Sequence, residues 1–137
     1  MKFSKTTEYA IRILSYMATD YEKLYSAKSI VEKLNIPNKY MRRIMTNLSK
    51  NNFIVSIQGR DGGYKFMKSP DNIYLAEIID SVDGIDKYMG CVLGFNECTP
   101  ESSCAMHKSW TDTKEKLYNT LSKTSLANLI KDTINKF

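Results

Sequence analysis

Between Ser26 and Met67 the apolar residues keep helical spacing twice and then switch to strand-like runs, and that order allows few folds. Ser26 can cap a short helix whose inward face is Ile30, Val31 and Leu34, ending near Asn35. Pro37 suits the first turn of a second helix, because its missing N–H has no intrahelical partner there. That helix buries Tyr40, Met41, Ile44, Met45 and Leu48. Two short helices with a four-residue link make a helix-turn-helix. Next, Phe53, Ile54, Val55 and Ile57 form a β-branched run, Gly59-Arg60-Asp61-Gly62-Gly63 breaks it, and Tyr64 to Met67 resumes it. Asp-Gly between two such runs signals a hairpin. A hairpin directly behind a helix-turn-helix is a winged helix, so a mainly α fold with a small β-hairpin is expected.

The flanks add helices. From Ser4 to about Thr19 the residues Tyr9, Ala10, Ile13, Leu14 and Met17 form one buried stripe, with Ser4 as cap. Leu75, Ile78, Ile79 and Val82 mark another helix, stopped by Gly84. A long helix is expected from about Cys104, with Trp110, Leu117 and Leu121 along one face. Ser125 can cap a last helix carrying Leu126, Leu129, Ile130 and Ile134. The 137 residues suit one domain with an appended element. No apolar run approaches the length of a membrane span, and MKFSKTTEYA holds no apolar signal core, so a cytoplasmic protein without a membrane partner is expected.

Charge is distributed unevenly. Residues 1–75 carry thirteen Lys and Arg against six acids, a balance of +7, whereas residues 76–137 stand at −2. A basic half joined to a mildly acidic one points to a polyanion as partner of the first. The outward face of the second short helix shows Lys39, Arg42, Arg43 and Asn47, residue types that read guanine and adenine in the major groove, and Tyr40 is counted with this DNA-facing set. Arg60 at the wing tip, with Lys65 and Lys68 on the return strand, is placed to hold phosphates. Arg42 and Arg43 are expected to supply base contacts, with double-stranded DNA as the partner. An enzyme is not expected, since the chain has one histidine and neither a Gly-rich phosphate loop nor a nucleophile elbow.

The three cysteines are too few and too odd in number for a secreted disulfide framework. They fall within 14 residues of a Gly, Asn, Pro and Ser-containing stretch, as Cys91-x6-Cys98-x5-Cys104-x2-His107. Three thiolates and an imidazole can hold zinc or an iron–sulfur cluster. Structural zinc favours pairs two to four residues apart, which these are not. Longer gaps on a loop leave room for a larger cluster, although spacing alone does not choose the metal.

With these residues in view, the chain resembles the Rrf family of winged-helix repressors, the group of IscR-, NsrR- and CymR-type regulators. The resemblance rests on Lys5-Thr-Thr-Glu-Tyr-Ala-Ile-Arg12, the wing Gly59-Arg-Asp-Gly-Gly-Tyr64, Asp83-Gly84 before the cysteines, and Thr124-Ser-Leu-Ala-Asn-Leu129. It implies a homodimer paired through the long helix after the cysteines, on a near-palindromic operator. It divides the chain into a DNA-binding domain (1–84), a cysteine-rich cluster loop (85–107) and dimerisation helices (108–137). The IscR-type branch is the most similar, which implies a two-iron, two-sulfur cluster on Cys91, Cys98, Cys104 and His107. The first gap is one residue longer than in that branch. The NsrR-type branch instead implies a four-iron cluster with a carboxylate from the partner subunit, for which Glu8 stands in the right part of the chain. IscR-type proteins place an acid and a glutamine where this chain has Arg42-Arg43, which implies a different operator. Without a cluster, the same fold implies a thiol-responsive or partner-controlled repressor of cysteine metabolism, in the CymR manner.

Overall fold

The structure is a computed structural model that describes residues 2–99 and 101–133. Helix α1 spans Lys5–Ala18, and Ser4 caps it by accepting the Thr7 N–H. Ala10, Ile13, Leu14 and Met17 line its buried side. Helix α2 (Ala27–Leu34) is capped by Ser26 and ends at Asn35, whose left-handed backbone (φ 53°, ψ 46°) turns the chain toward α3 (Asn38–Lys50). The link is Asn35, Ile36 and Pro37, one residue shorter than expected, and Ile36 is buried in it. Pro37 stands just ahead of the first helical residue of α3, where its fixed φ sets the entry angle. Met41, Ile44, Met45 and Leu48 of α3 face inward.

The wing is the antiparallel pair β1 (Ile54–Ile57) and β2 (Gly63–Phe66), in register from Ile54 opposite Phe66 to Ile57 opposite Gly63. Residues 58–62 connect them, so the Asp-Gly pair lies inside a longer loop and not in a two-residue turn. Tyr25, ahead of α2, exchanges both backbone hydrogen bonds with Tyr64 at 2.9 and 2.7 Å. This bridge ties the wing to the helix-turn-helix. A Cβ at Gly63 would stand 2.6 Å from the Tyr25 carbonyl oxygen, so only glycine lets the two backbones approach this closely.

A 3-10 turn (Pro70–Asn72) leads into α4 (Leu75–Asp83), which Gly84 ends with φ 79°. A second 3-10 turn covers Ile85–Tyr88. The long helix α5 spans His107–Lys123, starting three residues later than expected because Cys104 accepts the His107 N–H in a preceding turn. Helix α6 (Leu126–Asp132) is capped by Ser125, and Ile134, expected on this helix, lies outside the described residues. No described helix is long and apolar enough to cross a membrane.

Two apolar clusters hold these elements. The larger joins α1, α2, α3, the wing base, α4 through Ile78 and, through fully buried Leu126, α6. Leu126 reaches it because Leu75 N–H binds the Thr124 carbonyl and Leu126 N–H binds the Ile73 carbonyl, bringing the chain back beside the start of α4. The smaller cluster is Ala76 and Ile79 of α4 against Leu121 of α5, with Leu117, Phe3 and Tyr88 partly buried around it. Val31, Leu75 and Val82, expected inside, lie half-buried at the cluster margins.

Candidate DNA interface and cysteine cavity

Helix α3 exposes the side of the helix opposite its buried stripe. Lys39, Arg42 and Arg43 are exposed there, and so are Thr46 and Lys50, which the sequence reading missed. The signal for them was present: positions 39, 43, 46 and 50 follow helical spacing on one face. Asn47 lies half-buried at the margin, and its side-chain and backbone carbonyls accept from the Asn51 amide at 3.0 and 2.8 Å. Tyr40 is half-buried, neither core nor free surface: its ring meets Tyr9 edge-on at 5.2 Å, with the Lys39 ammonium 5.1 Å from its centre.

Arg60 on the wing loop and Lys65 in β2 are exposed. Among the described residues none of Lys39, Arg42, Arg43, Arg60 and Lys65 joins an ion pair. Lys68 differs. It follows β2, pairs with Glu77 at 3.6 Å and sits over Phe53, so it fastens the wing base to α4.

At the other end, Cys91, Cys98, Cys104 and His107 line one cavity of about 280 Å³ together with Trp110 and Lys114. Helix α5 contributes His107, Trp110 and Lys114 at the i, i+3, i+7 spacing that puts them on one face. Two of these hold the loop's entrance: the Trp110 indole N–H donates to the Gly90 carbonyl at 2.6 Å, and the Lys114 ammonium to the Met89 carbonyl at 2.9 Å. The sulfurs of Cys91 and Cys98 are 3.8 Å apart. Backbone N–H groups of Leu93 and Phe95 aimed at its sulfur hold the Cys91 thiol below its ordinary value of 9.0. The neighbouring Cys91 sulfur pushes the Cys98 thiol up. Among the described residues no three His, Cys, Asp or Glu side chains converge closely enough for one metal ion. Glu8 is elsewhere, half-buried on α1 and paired with Lys5 at 3.3 Å, and does not line this cavity.

Between the two regions lies a polar knot around Asp83, the last residue of α4. Its Oδ2 accepts from the Ser4 hydroxyl, from the Thr7 hydroxyl at 2.7 Å and from the Tyr88 hydroxyl at 2.9 Å, with the Lys87 ammonium at 3.9 Å. Tyr88 also accepts the Ser4 N–H at 3.0 Å and meets Phe3 edge-on. The start of α1 and the approach to Cys91 are thus fastened to the same carboxylate.

Comparison with known proteins places this geometry. The model of the family described as "Rrf2: Iron-dependent Transcriptional regulator" matches residues 3–132. The chain belongs to the Rrf2 family. It is 27% identical over 134 residues to the HTH-type transcriptional regulator NsrR of Geobacillus kaustophilus, covering 96% of this chain and 91% of that one. Over 103 residues it is 30% identical to the HTH-type transcriptional regulator IscR of Xenorhabdus nematophila, covering 75% of this chain and 62% of the relative. Its fold is similar to that of CymR, the global cysteine regulator of B. subtilis, with a TM-score of 0.81, 24% identity and coverage of 98% and 99%. As an Rrf2 protein the chain is a DNA-binding transcriptional regulator of winged-helix fold, not an enzyme.

Proposed function

We infer that this Rrf2 protein is a homodimeric regulator whose operator binding is controlled by an iron–sulfur cluster held in the cysteine loop, sensing iron–sulfur status, redox state or nitric oxide. Cys91, Cys98, Cys104 and His107 would hold the cluster. The observation that carries this reading is the placement of all three thiols and the one imidazole around a single cavity. The donors ring a space and do not meet at a point, an arrangement better suited to a polynuclear cluster than to one zinc ion. When bound, such a cluster supplies a redox-active centre that oxidants and nitric oxide can alter. Trp110 and Lys114 fix Met89 and Gly90 against α5 and so orient the first thiol, while Asp83 and Tyr88 carry the loop's position to α1. Tyr9 of α1 meets Tyr40 of α3, which continues the path to the DNA-facing helix. Residues 1–84 form the DNA-binding part, 85–107 the sensing loop and 108–137 the pairing helices.

Anaerobic purification tests the cluster. The expected protein is brown, contains iron and sulfide, and loses its visible absorption when Cys91, Cys98 or Cys104 is replaced by Ala. Mössbauer spectra of His107→Ala and Glu8→Ala separate the two ligand sets: a two-iron cluster disturbed by the first, or a four-iron cluster disturbed only by the second. A colourless protein with no iron under anaerobic conditions would instead support the thiol-responsive or partner-controlled repressor.

On DNA, Arg42 and Arg43 are the base-reading residues, with Lys39, Tyr40 and Asn47 at the margins and Arg60 and Lys65 on the backbone. Arg42→Ala or Arg43→Ala is expected to cost ~1–3 kcal/mol on the operator and relax its sequence preference, whereas Arg60→Ala should weaken all DNA alike and reduce the salt slope by about one. Footprints and titrations at two salt concentrations measure both. Unchanged operator footprints for the α3 variants would refute the assignment.

A further inference from the structure

We propose that in the cluster-free protein Cys91 and Cys98 form a reversible disulfide within one chain, making this pair a site of modification by hydroperoxides. The two sulfurs lie 3.8 Å apart, both residues are partly exposed, and neither is in a disulfide already. A disulfide needs its sulfurs near 2 Å, so less than 2 Å of approach remains. The intervening six residues contain no described helix or strand, only turns and bends, and can supply that movement without breaking a hydrogen-bond ladder. The last thiol is placed differently. Cys104 lies at the turn that starts α5, and among the described residues the only sulfur–sulfur contact is that of Cys91 with Cys98.

The chemistry balances with a hydroperoxide as the only co-reactant. The Cys91 sulfur, which receives the Leu93 N–H at 3.4 Å, attacks one peroxide oxygen. The O–O bond breaks, the alkoxide leaves and takes up a proton as an alcohol, and Cys91 becomes a sulfenic acid. The Cys98 sulfur then attacks the Cys91 sulfur. An S–S bond forms, the S–O bond breaks, and hydroxide leaves with the Cys98 thiol proton as water. Two thiols lose two electrons in total, and the peroxide gains them. A dithiol reverses the reaction by exchange.

The consequence for the regulator is a second oxidised state besides cluster loss. Two of the three thiols on the cavity are withdrawn until a reductant restores them. This proposal needs only the thiols, so it stands or falls apart from the cluster reading.

The test uses the full-length chain, purified with a reductant and a chelator, freed of metal and treated with hydrogen peroxide. Titratable thiols are expected to fall from three to one per chain, independently of protein concentration, and to return to three with dithiothreitol. Cleavage after Lys87, Glu97, Glu101 and Lys108 puts each cysteine on its own peptide, so mass spectrometry without reduction identifies the pair. Linked Cys91 and Cys98 peptides with Cys104 still alkylatable support the proposal, and Cys104→Ser should form the same link. Cross-links that include Cys104, links between chains, or sulfinic acids without any cross-link would overturn it. Because Cys104→Ser and the wild type are compared with matched circular dichroism spectra, a folding defect is separated from a chemical one.

Discussion

Leu48→Ala is expected to lower the unfolding free energy by about 2–5 kcal/mol, measured by urea denaturation. Leu48 is fully buried in the larger apolar cluster, on the helix that exposes Lys39, Arg42 and Arg43. Truncation removes the transfer free energy of the side chain and leaves a cavity inside the larger apolar cluster. The cluster cannot collapse far, because backbone hydrogen bonds tie its elements together: Tyr25 to Tyr64, and Phe53 N–H to the Leu48 carbonyl. Against a total of roughly 5–15 kcal/mol for a domain this size, the loss is a large fraction. DNA affinity should fall with the folded population and not with local contact, so the residual binding of the folded fraction should keep its sequence preference. A stability change under about 1 kcal/mol would mean that α3 packs more loosely than these burial values require.

Asp83→Ala is expected to destabilise by about 2–4 kcal/mol, since hydrogen bonds to a charged acceptor each contribute roughly 1.5–3 kcal/mol and their losses here overlap. Three hydroxyl donors, from the Ser4 cap, Thr7 of α1 and Tyr88 of the 3-10 turn, would be left without their acceptor. The pH dependence has a definite sign. Burial on its own pushes the Asp83 carboxyl up, but hydrogen bonds from Ser4, Thr7 and Tyr88, with the Lys87 charge, outweigh it and hold the pKa below the ordinary 3.8. A carboxyl depressed in the folded state contributes stability that is fully present above 3.8 and lost as pH falls through the lower folded value. The stability difference between wild type and Asp83→Asn should therefore be flat from about pH 7 to pH 5 and shrink only below 3.8. A difference that already shrinks near neutral pH would assign the effect to another group. If Asp83 also joins the cysteine loop to α1, hydrogen exchange in Asp83→Asn should rise at Ser4–Glu8 and at Lys87–Gly90 together.

Most of the helical framework was legible in the sequence because its causes are local. Ser4, Ser26 and Ser125 cap the helices they precede, Gly84 stops α4, and apolar spacing selects the buried faces of α1 and α3. The glycine-broken β-branched runs made the wing legible, and the grouping of the cysteines with His107 marked four residues that line one cavity. Each of these signals lies within a few residues of the feature it determines. The tertiary structure decided what depends on pairs far apart in the chain. Tyr25 bridges to Tyr64, Lys68 pairs with Glu77, and Leu126 enters the core of the first helices. Asp83 binds Ser4 across 79 residues, and Trp110 reaches back to the Gly90 carbonyl. Hydrophobic periodicity says which face of a helix is buried, but it carries no information about which distant backbone or hydroxyl will meet it. That choice is made when the elements pack, because a buried polar group must find a partner wherever the chain brings one.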